Sequence, residues 1–153
     1  MITLDLPDEA ATGAFAGRIS RLAQLGDIIV LRGELGAGKT TFARAFIRAR
    51  GDPDEEVPSP TFTLVQLYDL HPAIWHFDLY RLRSPEEAWE LGIEEAFSDG
   101  ISLIEWPERL GTLLPKRRLE IFFSFGRAPD ARRAILDPGE GWRPRLTAIT
   151  PDV

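Results

Sequence analysis

Ile28-Ile29-Val30-Leu31-Arg32-Gly33-Glu34-Leu35-Gly36-Ala37-Gly38-Lys39-Thr40 is the stretch that decides how this chain is read. It opens with four apolar residues, Ile28 to Leu31, of which three are β-branched. Such runs predict a short strand buried on both faces of a sheet. Gly33 to Thr40 then fits the pattern of a glycine, four variable residues and Gly-Lys-Thr. Glycines let a backbone turn tightly and bring its N–H groups against phosphate oxygens. The next helix start adds unpaired N–H donors and the positive end of its dipole. Thr40–Arg50 has helical character and stops at Gly51. A strand before the motif and a helix after it are the context in which it binds a nucleoside triphosphate. Lys39 is expected to reach the β- and γ-phosphates, and the Thr40 hydroxyl to ligate Mg²⁺.

Upstream, Ile2–Leu6 reads as an edge strand. Asp8 is placed to cap a helix in which Ala11, Phe15, Ile19, Leu22 and Leu25 recur at helical spacing, up to Gly26. Downstream, the acidic stretch Asp52–Pro60 holds three prolines and predicts an irregular loop. Thr61–Tyr68, Ile74–Asp78 and Ile101–Ile104 have strand character. Ser84-Pro85-Glu86-Glu87 predicts a helix start, with Ser84 as cap and Glu87 closing a capping box. Leu119–Phe125, Ala131–Leu136 and Arg145–Ile149 read as late strands. The expected fold is α/β: a compact, three-layer, P-loop NTPase-like domain spanning residues 1–153. Its central sheet is mostly parallel, with antiparallel additions toward the C-terminus.

Bulk composition narrows the function. The chain has 153 residues, is 44% hydrophobic and carries a formal net charge of −6. A broad nucleic-acid grip needs clustered Lys and Arg, so this balance argues against direct, extensive tRNA or DNA binding. With no cysteine, thiolate catalysis and Cys-ligated metals are excluded. No apolar run reaches the roughly 20 residues needed to span a bilayer. The start of the chain lacks the basic and apolar regions of a signal peptide. A soluble cytoplasmic protein is expected. Asparagine is absent too, so an Asn-Lys-x-Asp guanine reader cannot be formed, and ATP is favoured over GTP. Only two lysines are present, and Lys39 is one of them.

The metal of a phosphate loop needs a carboxylate at the end of a neighbouring strand. Glu105 closes the run Ile101–Ile104 and is the favoured Mg²⁺ partner, directly or through water. Asp78 closes Ile74–Phe77 and is placed to orient the attacking water or to support the metal. Thr61, held extended after Pro58-Ser59-Pro60, can present a hydroxyl toward a γ-phosphate. His76, between Trp75 and Phe77, reads as a structural histidine rather than a catalyst. A small-molecule kinase using the same loop is the alternative. Its arginine lid would have to come from Arg127, Arg132 or Arg133, which lie among predicted strands.

Four blocks together resemble the TsaE (YjeE) family of bacterial tRNA-modification ATPases. They are Gly33–Phe42, Ser59–Val65, His76-Phe77-Asp78-Leu79-Tyr80-Arg81-Leu82 and Ile104-Glu105-Trp106-Pro107-Glu108, in the family's order. The resemblance implies a slow Mg²⁺-dependent ATPase that binds the TsaD–TsaB transferase pair and supports its turnover. The pair makes threonylcarbamoyladenosine at position 37 of tRNAs reading ANN codons, so tRNA is met only indirectly. It further implies that Lys39, Thr40 and Thr41 contact phosphates, alongside Gly33, Gly36, Ala37 and Gly38 of the loop. Thr40 and Glu105 serve Mg²⁺, Asp78 is Walker-B-like, Thr61 belongs to a switch segment, and Thr12 lies near the adenine. Trp106 sits where the site can communicate with a partner. The region from Gly126 onward matches least, and Arg132 is assigned no contact.

Overall fold

The computed structural model describes residues 1–60, 63–139 and 141–147. Ile28–Gly33 (β2) lies inside a seven-stranded sheet, as an apolar run without alternation requires. Parallel neighbours flank it: Gly100–Glu105 (β5) on one side and Leu119–Phe125 (β6) on the other. Beyond β5, Ala73–Asp78 (β4) continues the parallel block. Antiparallel strands close both edges. Val65–Tyr68 (β3) pairs with β4, Arg132–Pro138 (β7) with β6, and Ile2–Leu6 (β1) with β7. The order is β1-β7-β6-β2-β5-β4-β3. Antiparallel additions are therefore not confined to the C-terminal region, because β1 and β3 also take edge positions.

Two apolar cores cover the two faces of the sheet. Glu9–Leu22 (α1) and Lys39–Arg50 (α2) pack Phe15, Ile19, Phe42, Phe46 and Ile47 onto the face bearing Ile29, Leu31 and Leu103. On the opposite face lie the short helices Glu87–Glu90 (α3) and Ile93–Asp99 (α4) and the 3-10 segment Pro107–Leu113. They set Ala88, Ile93, Ala96 and Leu110 against Ile28, Val30, Phe77 and Ile104. Period-two alternation along β2, β4 and β5 thus sorts side chains between two layers of helices. Among the described residues no helix is long and apolar enough to cross a membrane.

Several local expectations shift by tertiary context. The Asp8 carboxylate caps α1, accepting from the Ala11 N–H at 2.8 Å. The helix ends at Leu22 rather than Gly26, and Leu25 is exposed. In the capping box, Glu87 accepts from the N–H of Arg83 at 2.9 Å, not from Ser84, and regular helix begins only at Glu87. β3 starts at Val65, because Leu64 takes a left-handed turn at φ 69° that no strand continues. Arg145 lies in the helical turn Arg143–Leu146 (α5), not in a strand over Arg145–Ile149. Trp142 and Leu146, four residues apart, are both buried, which is helical spacing. Arg145 grips Asp27 with two guanidinium N–H groups at 2.7 and 3.0 Å, fixing the turn against the start of β2. Residues 148 and 149 of that expected strand lie outside the described residues.

Candidate nucleotide site

The segment Gly33–Gly38 links the C-terminal end of β2 to the N-terminus of α2. In open α/β sheets, ligands bind outside the carboxyl ends of the parallel strands. Gly33, Gly36 and Gly38 have φ of 140°, 83° and 114°, which side chains bearing a Cβ rarely adopt. They serve different ends. A Cβ on Gly33 would run into the carbonyl oxygen of Phe123, its β6 partner, whereas one on Gly36 would meet nothing within 4 Å. Gly33→Ala is expected to lower stability by about 1–3 kcal/mol through strain and collision. Gly36→Ala should cost only the left-handed backbone term, about 1–2 kcal/mol. Urea unfolding would show this as a larger midpoint drop for Gly33→Ala at unchanged slope. Equal midpoints would mean that β6 gives way freely.

Strand ends and helix start converge on one cleft of about 160 Å³. Its lining includes Gly36, Gly38, Lys39, Thr40, Thr41, Ser59, Asp78, Glu105 and Trp106. Register explains the carboxylates: Asp78 on β4 stands opposite Glu105 on β5. Both lie on the sheet face that α2 covers, since the residues between them and the interior, Phe77 and Ile104, point into the other core. Thr40 Oγ donates to Glu105 Oε1 at 3.4 Å, a long contact. Glu105 Oε2 faces Nε2 of His76 at 2.7 Å. Asp78 accepts from the Tyr80 N–H at 3.1 Å.

Lys39 is almost wholly buried, with Nζ donating to the Gly33 carbonyl at 2.6 Å and lying 3.6 Å from the centre of the Trp106 ring. Burial pushes its ammonium below the ordinary lysine value, while the carboxylates of Glu105, Asp78 and Glu108 pull the other way. Trp106 itself holds a left-handed backbone, φ 59° and ψ 52°, and tilts against Tyr80 at 4.9 Å. A non-glycine residue in that region is a stored strain of the kind that collects at ligand sites.

Ala37 is buried in the loop and donates its N–H to Glu34 O at 3.0 Å. Thr12, buried on α1, lines a neighbouring hollow with Gly38, Thr41 and Arg132. Thr61 lies outside the described residues. Three side chains that sequence reading gave no role in the site join the neighbourhood. Ser59 lines the cleft two positions before the expected Thr61. Arg132 donates to the Gly36 carbonyl at 3.2 Å and lays its stem against Gly38, because β7 folds back beside β6. His76, read as structural, touches a site carboxylate. Strand pairing brings in two of them, His76 through β4 with β5 and Arg132 through β7 with β6, whereas Ser59 comes from the loop before β3.

The model of the family described as "Threonylcarbamoyl adenosine biosynthesis protein TsaE" matches residues 6–134 of this chain. The chain belongs to the TsaE family. Relatives bearing the name tRNA threonylcarbamoyladenosine biosynthesis protein TsaE include one from Rickettsia bellii, 44% identical over 76% of this chain and 81% of its own length. The TsaE of Bacillus subtilis is 39% identical over 84% and 78%. That of Haemophilus influenzae is 37% identical over 88% of both chains. In three dimensions the chain is similar to the crystal structure of Bacillus subtilis YdiB, with a TM-score of 0.78 at 27% identity, covering 99% of this chain and 95% of that one. The TsaE family match extends from the end of β1 to Ala134 in β7, so it includes every element that lines the cleft.

Chemically, the cleft suits Mg²⁺ with a triphosphate. Its donors are hard oxygens, the Thr40 hydroxyl and the Glu105 carboxylate, already facing each other. Among the described residues no three His, Asp or Glu side chains gather into a metal cage. Mg²⁺ needs none, since it is commonly held by one or two carboxylates with phosphates and water supplying the rest.

Proposed function

We propose that this TsaE-family chain binds ATP with Mg²⁺, hydrolyses it slowly, and acts in the cytoplasm on a TsaD–TsaB transferase pair. In this reading it supports formation of threonylcarbamoyladenosine at position 37 of tRNAs reading ANN codons and does not itself transfer the group. The observation that carries the reading is the meeting of Lys39, Thr40, Asp78 and Glu105 in one cleft beside the glycine turn. The loop residues Gly33, Gly36, Ala37 and Gly38, with Thr41, cradle the phosphates, and Thr12 is assigned to the side of the base. Lys39 meets the charge that builds on the transferring phosphoryl group. A triphosphate adds to the negative charge already acting on Lys39 from Glu105, Asp78 and Glu108, so binding favours the ammonium that burial disfavours. Thr40 and Glu105 hold Mg²⁺, which when bound neutralises charge on the phosphate oxygens. Asp78 orients the attacking water or supports the metal's surroundings, and Thr61 belongs to a segment that responds to the γ-phosphate.

Slow intrinsic turnover is expected: the described lining of the cleft includes neither arginine nor glutamine, and Arg132 nearby is engaged with the Gly36 carbonyl. A partner that completes the site would then raise the rate. The test is ATP hydrolysis by the purified protein, alone and with its cognate TsaD–TsaB pair, with Lys39→Ala as blank. A rate that changes with the pair and vanishes in the blank supports the reading. A rate indifferent to the pair, and raised only by a small-molecule acceptor, would replace it with a kinase. In the same assay Glu105→Gln should cut Mg²⁺-dependent hydrolysis by about 10–100-fold while metal-free nucleotide still binds. Full activity in that variant would remove Glu105 from the scheme.

A further inference from the structure

His76 has no exposed surface, yet its ring is polar and sits on an inner strand of the sheet. On β4 it stands opposite Leu103 of β5, one pleat before the Asp78–Glu105 pair and on the same face. From there Nε2 reaches Glu105 Oε2 at 2.7 Å, between side chains 0% and 3% exposed. A carboxylate that serves a cation is ionised and can only accept, so in that role Glu105 takes the proton of this bond from Nε2. The other carboxylate oxygen, Oε1, faces the Thr40 hydroxyl. The carboxylate is thus split between two partners, the imidazole behind it and the proposed metal position in front.

Core filling does not account for this histidine. Nδ1 is buried and has no hydrogen-bond partner among the described residues. A leucine of similar volume would leave no polar atom stranded there, and a stranded buried polar atom is costly. The bond to Glu105 is what the imidazole supplies in return. Ligating carboxylates are commonly held by a hydrogen bond of this kind, which fixes the direction of the oxygen left for the metal.

We propose that His76 is a positioning residue for Glu105: its Nε2–H holds Oε2, so that Oε1 is presented beside Thr40 to the Mg²⁺ of the bound nucleotide. The inference rests on the reading above that Glu105 serves Mg²⁺. It assigns His76 no contact with nucleotide or metal.

The test is calorimetric titration with ATPγS, with and without Mg²⁺, on the wild type, Glu105→Gln, His76→Leu and His76→Gln. The measured quantity is the ratio of the two affinities. Wild type should bind more tightly with Mg²⁺, and Glu105→Gln should lose that gain. His76→Leu should lose about tenfold of it, with metal-free affinity unchanged within about twofold. His76→Gln should keep most of it, because the glutamine amide nitrogen lies as many bonds from Cα as Nε2 does. A His76→Leu protein that keeps the full gain, while Glu105→Gln loses it, overturns the inference and leaves the metal reading standing. If Glu105→Gln also keeps the gain, the metal reading falls and the inference with it. Should His76→Leu fail to fold, His76→Asn takes its place, since its shorter amide cannot reach Oε2 and should lose the gain. Wild-type ¹⁵N spectra give a check that needs no variant: His76 must carry its proton on Nε2 in the Mg²⁺–ATPγS complex, and a bare Nε2 there overturns the proposal.

Discussion

Lys39→Ala should weaken ATP binding by about 100-fold or more and leave hydrolysis at background. Two charge-assisted contacts to phosphate, at about 1.5 kcal/mol each, amount to ~3 kcal/mol. The fold should tolerate the change. In the free protein the buried ammonium donates to the Gly33 carbonyl and lies on the Trp106 face, and its charge is opposed by burial and favoured less strongly by Glu105, Asp78 and Glu108. Removing it relieves a desolvation cost at the same time as it removes one hydrogen bond. Thermal unfolding within a few degrees of wild type, alongside lost nucleotide affinity, is therefore the expected pair of results. Lys39→Arg should not rescue binding. The cleft that admits a compact ammonium between Gly33 and Trp106 has little room for a planar guanidinium. Retained affinity in Lys39→Ala would end the phosphate-loop reading.

The second large effect is on stability. Phe42, fully buried one turn into α2, contacts Phe15 of α1 at 5.4 Å, Phe46 at 6.1 Å and Phe123 of β6 at 5.6 Å between ring centres. It therefore joins both helices of that layer to the sheet. Phe42→Ala should cost about 3–5 kcal/mol through lost transfer energy and the cavity left behind. At roughly 2–4 °C per kcal/mol for a chain of this size, the midpoint should fall by about 6–20 °C. Nucleotide affinity should fall with it, because Lys39, Thr40 and Thr41 occupy the turn that Phe42 anchors. Scanning calorimetry with and without ATPγS reads both. A shift below about 2 °C would show that α2 is held mainly from its C-terminal half.

Contiguous residues were enough for a large part of the architecture. β6 has the bounds expected from sequence, Leu119–Phe125, and β2, β4 and β5 lie where their apolar runs put them. Each depends on residue period and on glycine or proline at its ends, which act within a few positions. The glycine turn with Lys39 and Thr40 is local in the same sense, and so is the placing of Asp78 and Glu105 at strand ends.

Tertiary structure alone decided which strands became neighbours. β1 joins β7, across almost the whole chain, and so turns an N-terminal segment into the sheet edge beyond the C-terminal hairpin. The fate of Arg145 was settled by Asp27, 118 positions away, and by the burial of Trp142. Arg132 reaches Gly36 over 96 positions, and His76 reaches Glu105 over 29. Local pattern fixes which face of a strand a side chain occupies, but not what stands across from it. That depends on strand order, which is set by burial of the whole sheet between its two helical layers. The sequence by itself therefore determined a glycine turn between a buried strand and a helix, with carboxylates waiting at strand ends. The fold decided that Glu105 would be held from behind by a histidine, because only the parallel pairing of β4 with β5 brings those two side chains onto one face within reach.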